Sequence, residues 1–419
     1  MLSGKTDIWV YAHWEGMAVP KFIGVLSAHQ AKGRKTFSFE YEPTWIQSNE
    51  QILLDPDIGW YSGSQFPGDK ENFGIFLDSM PDRWGKTLMK RRAAQTAKEE
   101  GKPVPVLYDI DFLLGVKDHT RMGALRFKLN SDAPFLNNDS EYPIPPLSSV
   151  RELQHAARII ESGEDDIAMK KWLPLLVAPG SSLGGARPKA NVMDEKGNLW
   201  IAKFPSQNDN NDIGMWEYLV YKLALKAGIL MSESRLMKVS GNHHTFLTKR
   251  FDRIRDERIH FASAMTMTGN NEETIKDHTP SYLDLAEFIR FSGANIRDDL
   301  HQLWRRIIFN IAVSNTDDHL RNHGFLLSKN GWILSPAYDL NPNPDKDGLS
   351  INIDTDSNAL DFGLAMSIGE YYNLTPSDMK KILEEVKKSV SEWRWVAKDL
   401  GISRQEQEDM SSAFRGTLL

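Results

Sequence analysis

The sequence contains no cysteine in 419 residues. Disulfides, thiolate-held zinc and thiol nucleophiles are therefore excluded, and a reducing compartment fits. No apolar run approaches the ~18 residues needed to cross a bilayer. Residues 1–16 (MLSGKTDIWVYAHWEG) lack the apolar core of a secretory signal. Positive charge is not in excess: 50 Lys and Arg stand against 57 Asp and Glu, a formal charge of −7. A dense cationic face for a nucleic-acid backbone is thus not expected. No internal repeat is visible. These absences predict a soluble, cytoplasmic protein with no membrane partner.

What is present is ordinary for a globular chain. Hydrophobic residues make up 41%, enough at this length for two or three cores. Alternation in Asp7–Tyr11, Phe22–Leu26 and Phe37–Tyr41 predicts a small, mostly antiparallel sheet. Residues 72–100 turn helical, with Pro81 and Gly85 as interruptions. Basic Lys90, Arg91 and Arg92 there read as a solvated helix face rather than a phosphate site. Residues 130–148, rich in Pro, Ser and Asn, read as a linker, with helices predicted over 149–161 and 165–176. Strands are predicted at Lys189–Met193, Leu199–Phe204 and Thr245–Lys249, and a helix at Ile213–Ala227. From Ser281 the chain is mainly helical, broken by a loop-rich interval over 315–360. A β-rich piece followed by a helical one predicts two lobes around a cleft.

The strongest chemical signal is Asn315-Thr316-Asp317-Asp318-His319-Leu320-Arg321-Asn322, after the apolar helix Leu303–Val313. Asp317 and Asn322 stand in D-x4-N spacing, and Asp339 follows in Pro336-Ala337-Tyr338-Asp339-Leu340. Phosphoryl transfer needs a carboxylate to orient the attacking hydroxyl and accept its proton. It also needs an amide oxygen and a second carboxylate to hold Mg²⁺ on the phosphates of ATP. Asp317, Asn322 and Asp339 match those roles in order. Two plainer readings stand beside this one: Asp317, Asp318 and Asn322 as turn and cap formers, or Asp317, His319 and His323 as transition-metal ligands.

Two further signals lie upstream. In Ser181-Ser182-Leu183-Gly184-Gly185-Ala186-Arg187-Pro188-Lys189, Gly184 and Gly185 would let backbone N–H groups approach phosphate oxygens. A hairpin turn is the alternative. Lys203, in the apolar strand Ile201-Ala202-Lys203-Phe204, and Glu217, early in the next helix, suit a phosphate-gripping lysine and the carboxylate that holds it. An edge-strand Lys with its head in water is the rival. Gly-rich turn, strand Lys, helix Glu, D-x4-N loop and metal Asp occur in the order of a protein kinase.

With SSLGGARPK, LWIAKFP, WEYLVYKLALKAGI, TKRFDR, NTDDHLRNHGF and LSPAYDLNP in place, the sequence resembles the HipA family of bacterial toxin kinases. FGIFLDSMPDRWG is similar to that family's N-terminal subdomain. The resemblance implies an α+β, two-lobed protein-kinase-like fold with a β-rich N-terminal subdomain and a mainly helical C-terminal lobe. The expected division is a HipA-like N-terminal subdomain over 1–130, a kinase N-lobe over 149–280 and a helical C-lobe over 281–419. It implies a Ser/Thr protein kinase using ATP and Mg²⁺, with Lys203 on the nucleotide phosphates. Arg250, Phe251 and Asp252 would form the hinge, Phe251 against adenine and Asp252 near the ribose. Asp317 would be catalytic, His319 and Asn322 would line the phosphate and metal region, and Asp339 would ligate Mg²⁺. Ser182, with Ser181 as its neighbour, matches a serine that family members autophosphorylate to silence themselves. The implied partners are a protein substrate, with an aminoacyl-tRNA synthetase as the family's target, and a HipB-like helix-turn-helix antitoxin through which DNA is reached. The family's acidic residue before R-F-D is Lys249 here, and Pro188 stands where some members carry an acidic one. A nucleotide-binding pseudokinase acting as a co-repressor and a small-molecule kinase are the alternative functions.

Overall fold

The alternating N-terminal segments form strands, as their pattern predicts. In the computed structural model, residues 4–31, 34–49, 51–137, 143–163, 185–255 and 257–415 are described, with Leu173 and Leu176. Contacts divide the chain into two compact units: Met1–Gln207 with Asp252–Asn271, and Asn208–Phe251 with Glu272–Leu419.

In the first unit, strands Arg34–Tyr41, Lys21–Ala31, Lys5–Ala12 and Leu125–Lys128 lie side by side, all antiparallel. Their inward residues Ile8, Val10, Leu26, Phe39 and Phe127 are buried. A Cβ on Gly24 would fall 2.2 Å from the Glu40 carbonyl oxygen, so only glycine fits that crossing. Helix Gly74–Asp78 drives Phe76 between Phe39 and Phe127, with ring centroids 5.6 and 6.1 Å away. The predicted helical stretch 72–100 is thus two helices, Gly74–Asp78 and Arg83–Glu99, and Pro81 lies in the break. Gly85, expected to interrupt, does not. It sits in the first turn of the second helix, where its N–H donates to the Asp82 cap at 2.8 Å. Helix Val150–Ser162 buries Val150, Leu153, Ala156, Ala157 and Ile160 on one face and stops at left-handed Gly163. The helix predicted over 165–176 lies outside the described residues, apart from Leu173 and Leu176. Strands Lys189–Met193 and Leu199–Lys203 form an antiparallel hairpin in which Lys189 faces Lys203.

In the second unit, helix Ile213–Lys226 precedes the antiparallel pair Ser234–Met237 and Thr245–Lys249. Helix Ile296–Ala312 is the core rod, burying Leu300, Leu303, Trp304, Ile307, Ile308 and Ile311. It begins at Ile296 rather than Leu303, because its first turns carry Arg297, Asp298 and Asp299 and mask the apolar stripe. The interval expected to be loop holds the hairpin Gly324–Ser328 with Gly331–Leu334. No helix among the described residues is long and apolar enough to cross a membrane.

Candidate active site

Helix Ile296–Ala312 ends at Val313, and the chain turns through Ser314 at φ +50°. The Ser314 carbonyl accepts from the N–H groups of Thr316 and Asn343, at 2.8 and 3.1 Å. Asn315, fully buried, donates through Nδ2 to Asn310 Oδ1 at 3.1 Å and accepts the Asn341 N–H on Oδ1 at 3.1 Å. A single amide thus ties the D-x4-N loop to the helix before it and to the segment after Asp339.

Asp318 anchors the loop from below. Its Oδ2 accepts from Asn310 Nδ2 at 2.9 Å, from His323 Nε2 at 2.7 Å and from the Tyr282 hydroxyl. Burial, with the Asp318 charge beside it, pushes the Tyr282 hydroxyl well above the usual tyrosine range, so it stays a donor. With Asp318 held inward, its neighbour Asp317 is exposed.

Asn322 closes the loop. Its Nδ2 donates to the Asp317 carbonyl at 3.0 Å, which fixes the amide, and its Oδ1 is buried with no partner. His319 opens the one-turn helix Leu320–Asn322, half-buried, with Nδ1 likewise unpartnered. The Tyr338 hydroxyl donates to the Arg321 carbonyl at 2.7 Å, bringing the neighbouring Asp339 to the same loop. Asp339 is left-handed at φ +58° and accepts from Asn341 Nδ2 at 3.2 Å. The Phe251 ring centroid lies 5.5 Å from that of Tyr338. The second unit therefore brings Asp317, His319, Asn322, Asp339 and Phe251 onto connected loops. Arg250 and Glu217 are buried in the same unit, Glu217 in the first turns of helix Ile213–Lys226.

The remaining predicted residues belong to the first unit. Lys203 ends its strand, half-buried. Gly185 has φ +99°, a conformation that suits glycine. Ser181, Ser182 and Gly184 lie outside the described residues. Asp252 departs from expectation. Expected near a ribose, it has no exposed surface, and its Oδ2 accepts the Gly123 N–H at 2.8 Å and the Arg253 guanidinium at 2.6 Å. It is an internal counter-ion to Arg253, and the R-F-D triplet passes from one unit to the other after Phe251.

Mg²⁺ takes hard oxygen donors and keeps several waters, so one or two protein oxygens beside phosphates suffice. The orphaned Asn322 Oδ1 is such an oxygen, and leaving a buried acceptor unsatisfied costs ~1–3 kcal/mol. With the Asp339 carboxylate on the adjoining segment, the residues fit the ion. Among the described residues no group of three His, Cys, Asp or Glu side chains could hold a metal. The transition-metal reading of Asp317, His319 and His323 also meets a specific obstacle, since His323 Nε2 is held by Asp318.

Sequence reasoning did not single out Asn310, Asn315, Tyr282 or Asn341. Asn310 had a visible signal, a lone amide inside the apolar run Ile307-Ile308-Phe309-Asn310-Ile311. The others are joined only by tertiary contact.

Comparison with known proteins follows the same residues. A family model, the HipA-like C-terminal domain, matches residues 181–393. The chain is 32% identical over 148 residues to "Putative kinase Y4mE" of Sinorhizobium fredii, covering 33% of each chain. It is 28% identical over 180 residues to a "Putative kinase" of Haemophilus influenzae, covering 38% of this chain and 52% of the relative. The chain thus spans a third and about half of the lengths of these curated relatives. HipA of Shewanella oneidensis MR-1, solved with HipB and operator DNA, matches over 98% of this chain and 96% of its own at TM-score 0.65 and 16% identity. At that identity the likeness is one of fold, and the fold is the two-lobed, kinase-like α+β class expected. Because the family match spans more than half of the sequence and takes in the D-x4-N loop and Asp339, the chain belongs to the family of the HipA-like C-terminal domain.

Proposed function

We propose that this protein is a cytoplasmic Ser/Thr protein kinase that transfers the γ-phosphoryl group of ATP to a protein hydroxyl, and that it acts as the toxin of a toxin–antitoxin pair. The observation that carries the reading is Asn322. Its amide Nδ2 is held by the Asp317 carbonyl, which leaves its Oδ1 as a buried acceptor without a partner. A buried oxygen left without a donor suits a bound cation and is nothing a helix cap needs, and Asp317 five residues earlier is exposed for the acceptor hydroxyl.

In this reading Asp317 orients the acceptor hydroxyl and takes its proton. Asn322 Oδ1 and the Asp339 carboxylate hold Mg²⁺, which when bound neutralises charge on the phosphates. Lys203, supported by Glu217, meets the nucleotide phosphates, and the backbone of Gly184 and Gly185 covers them. Phe251 packs on the adenine, with Arg250 behind it, and His319 lines the phosphate region. Asp252 follows Phe251 as the third residue of the hinge. Residues 1–130, 149–280 and 281–419 serve as N-terminal subdomain, N-lobe and C-lobe. Ser182 is the self-silencing phosphosite, since a dianionic phosphate there competes with those of ATP. The HipB and operator DNA bound to the Shewanella protein support a HipB-like antitoxin as partner here, with DNA reached through it. An aminoacyl-tRNA synthetase is the proposed substrate, by family resemblance.

Labelling with γ-³²P-ATP tests the reading. Asp317→Ala and Asp339→Ala are expected to lower transfer by ~10²–10³-fold, with wild-type label on Ser182 by mass spectrometry. Undiminished transfer in Asp317→Ala sinks the assignment.

A further inference from the structure

The first unit contains a buried ion pair that the roles above leave unexplained. Lys189 begins the strand leaving the Gly-rich stretch. Its ammonium lies 2.8 Å from Asp82 Oδ2, and the two side chains are 3% and 2% exposed. Burying two charges is costly unless their other hydrogen bonds are also made. Asp82 meets that condition, since its Oδ1 accepts the Gly85 N–H at 2.8 Å. Burial holds the Asp82 carboxyl above its ordinary value, with the Lys189 ammonium opposing the rise.

The next residues add to the grip. Trp84 Nε1 donates to the Lys189 carbonyl at 3.1 Å, and its backbone N–H donates to the Gly185 carbonyl at 3.4 Å. Residues 82–84 therefore hold the stem 185–189 at both ends. A Cβ on Gly185 would meet Lys189 Nζ at 3.3 Å, so the stem passes close to the pair. On its other edge the stem is bonded to the strand that carries Lys203. Lys189 is the cross-strand partner of Lys203, and the Phe204 N–H donates to the Pro188 carbonyl at 2.8 Å. Two lysines directly opposite repel each other, and the Asp82 carboxylate offsets one of them.

We propose that the Asp82–Trp84 turn clamps the stem of the Gly-rich stretch, with Asp82 as a positioning residue that sets where Lys203 stands for the nucleotide phosphates. The inference rests on the phosphotransfer reading of Lys203. It gives the N-terminal subdomain a share in the nucleotide site: displacing the turn weakens ATP binding without touching Asp317.

Asp82→Asn removes the charge and keeps the cap shape. Trp84→Phe removes one hydrogen bond and keeps most of the ring. Rates against ATP concentration are measured where circular dichroism shows each variant folded. The KM for ATP is expected to rise about tenfold in Asp82→Asn and about threefold in Trp84→Phe, with kcat changed less than about threefold, as for lost positioning contacts. Amide hydrogen exchange supplies a readout independent of turnover. Exchange over 189–190 and 203–204 is expected to quicken in both variants, while strand 5–12 stays protected. A lower melting point with KM within about twofold of wild type and unchanged exchange overturns the clamp, leaving the pair merely structural. If wild type and Asp317→Ala turn over ATP equally while exchange quickens as expected, the phosphotransfer reading falls and the clamp stands.

Discussion

Asp318 shows how one side chain can set the chemistry of its neighbour. Its carboxylate gathers Tyr282, Asn310 and His323, and the backbone then turns Asp317 outward. Asp318→Ala would take the acceptor from the Tyr282 hydroxyl and His323 Nε2, at ~1–3 kcal/mol each if nothing relaxes, while Asn310 Nδ2 keeps its bond to the Tyr282 hydroxyl. We expect a fall in the urea midpoint corresponding to at least ~2 kcal/mol, and Asp318→Asn, which keeps an acceptor, to lose less. Asp55 carries a pH effect. It is fully buried, its oxygens accept the N–H groups of Asp57 and Ile75, and burial raises its pKa to about 6. The folded protein then holds a proton that the unfolded chain releases near pH 4. Between about pH 4 and 6 the folded state binds more protons, so this carboxyl's contribution falls as pH rises and is at its most unfavourable above pH 6. Asp55→Asn stays neutral throughout. Its stability relative to wild type should grow by up to ~3 kcal/mol from pH 4 to pH 7, read from urea unfolding at the two pH values.

At the scale of the element, helix Ile296–Ala312 matters most. It supplies the buried face of the second unit and delivers Asn310 beneath the loop. Leu303 on that face has no exposed surface. Leu303→Ala is expected to cost ~2–5 kcal/mol by leaving a cavity, measured as a lower urea midpoint with unchanged slope. The helix was legible because its apolar residues recur at the helical period. Strands Lys189–Met193 and Thr245–Lys249 were legible to the residue. Hairpin Gly324–Leu334 was not anticipated, although Asn330-Gly331 marks its turn, because polar residues on both sides drew the whole interval toward loop.

For the whole molecule, ligand binding should couple to stability. A nucleotide and ion that bind only the folded state add RT ln(1 + [L]/Kd), or ~2.7 kcal/mol at a hundredfold excess over Kd. Mg-ATP is thus expected to raise the melting temperature of wild type. EDTA, or Asn322→Ala in place of the orphaned oxygen, should remove most of that shift in differential scanning fluorimetry. An equal shift with and without the ion would count against Asn322 as a ligand.

Sequence alone determined the contacts that close within one short stretch. Asp317 and Asn322 stand five residues apart, so their spacing already encodes the loop that joins them. The β-rich and helical segments were equally open to reading, because alternation and helical periodicity are local properties of the chain. Tertiary structure alone decided what depends on distant partners. Asp82 meets Lys189 across 107 residues, and Asp252 meets the Gly123 N–H across 129. A charge's role depends on whether water or another side chain surrounds it, and only the folded chain chooses between them.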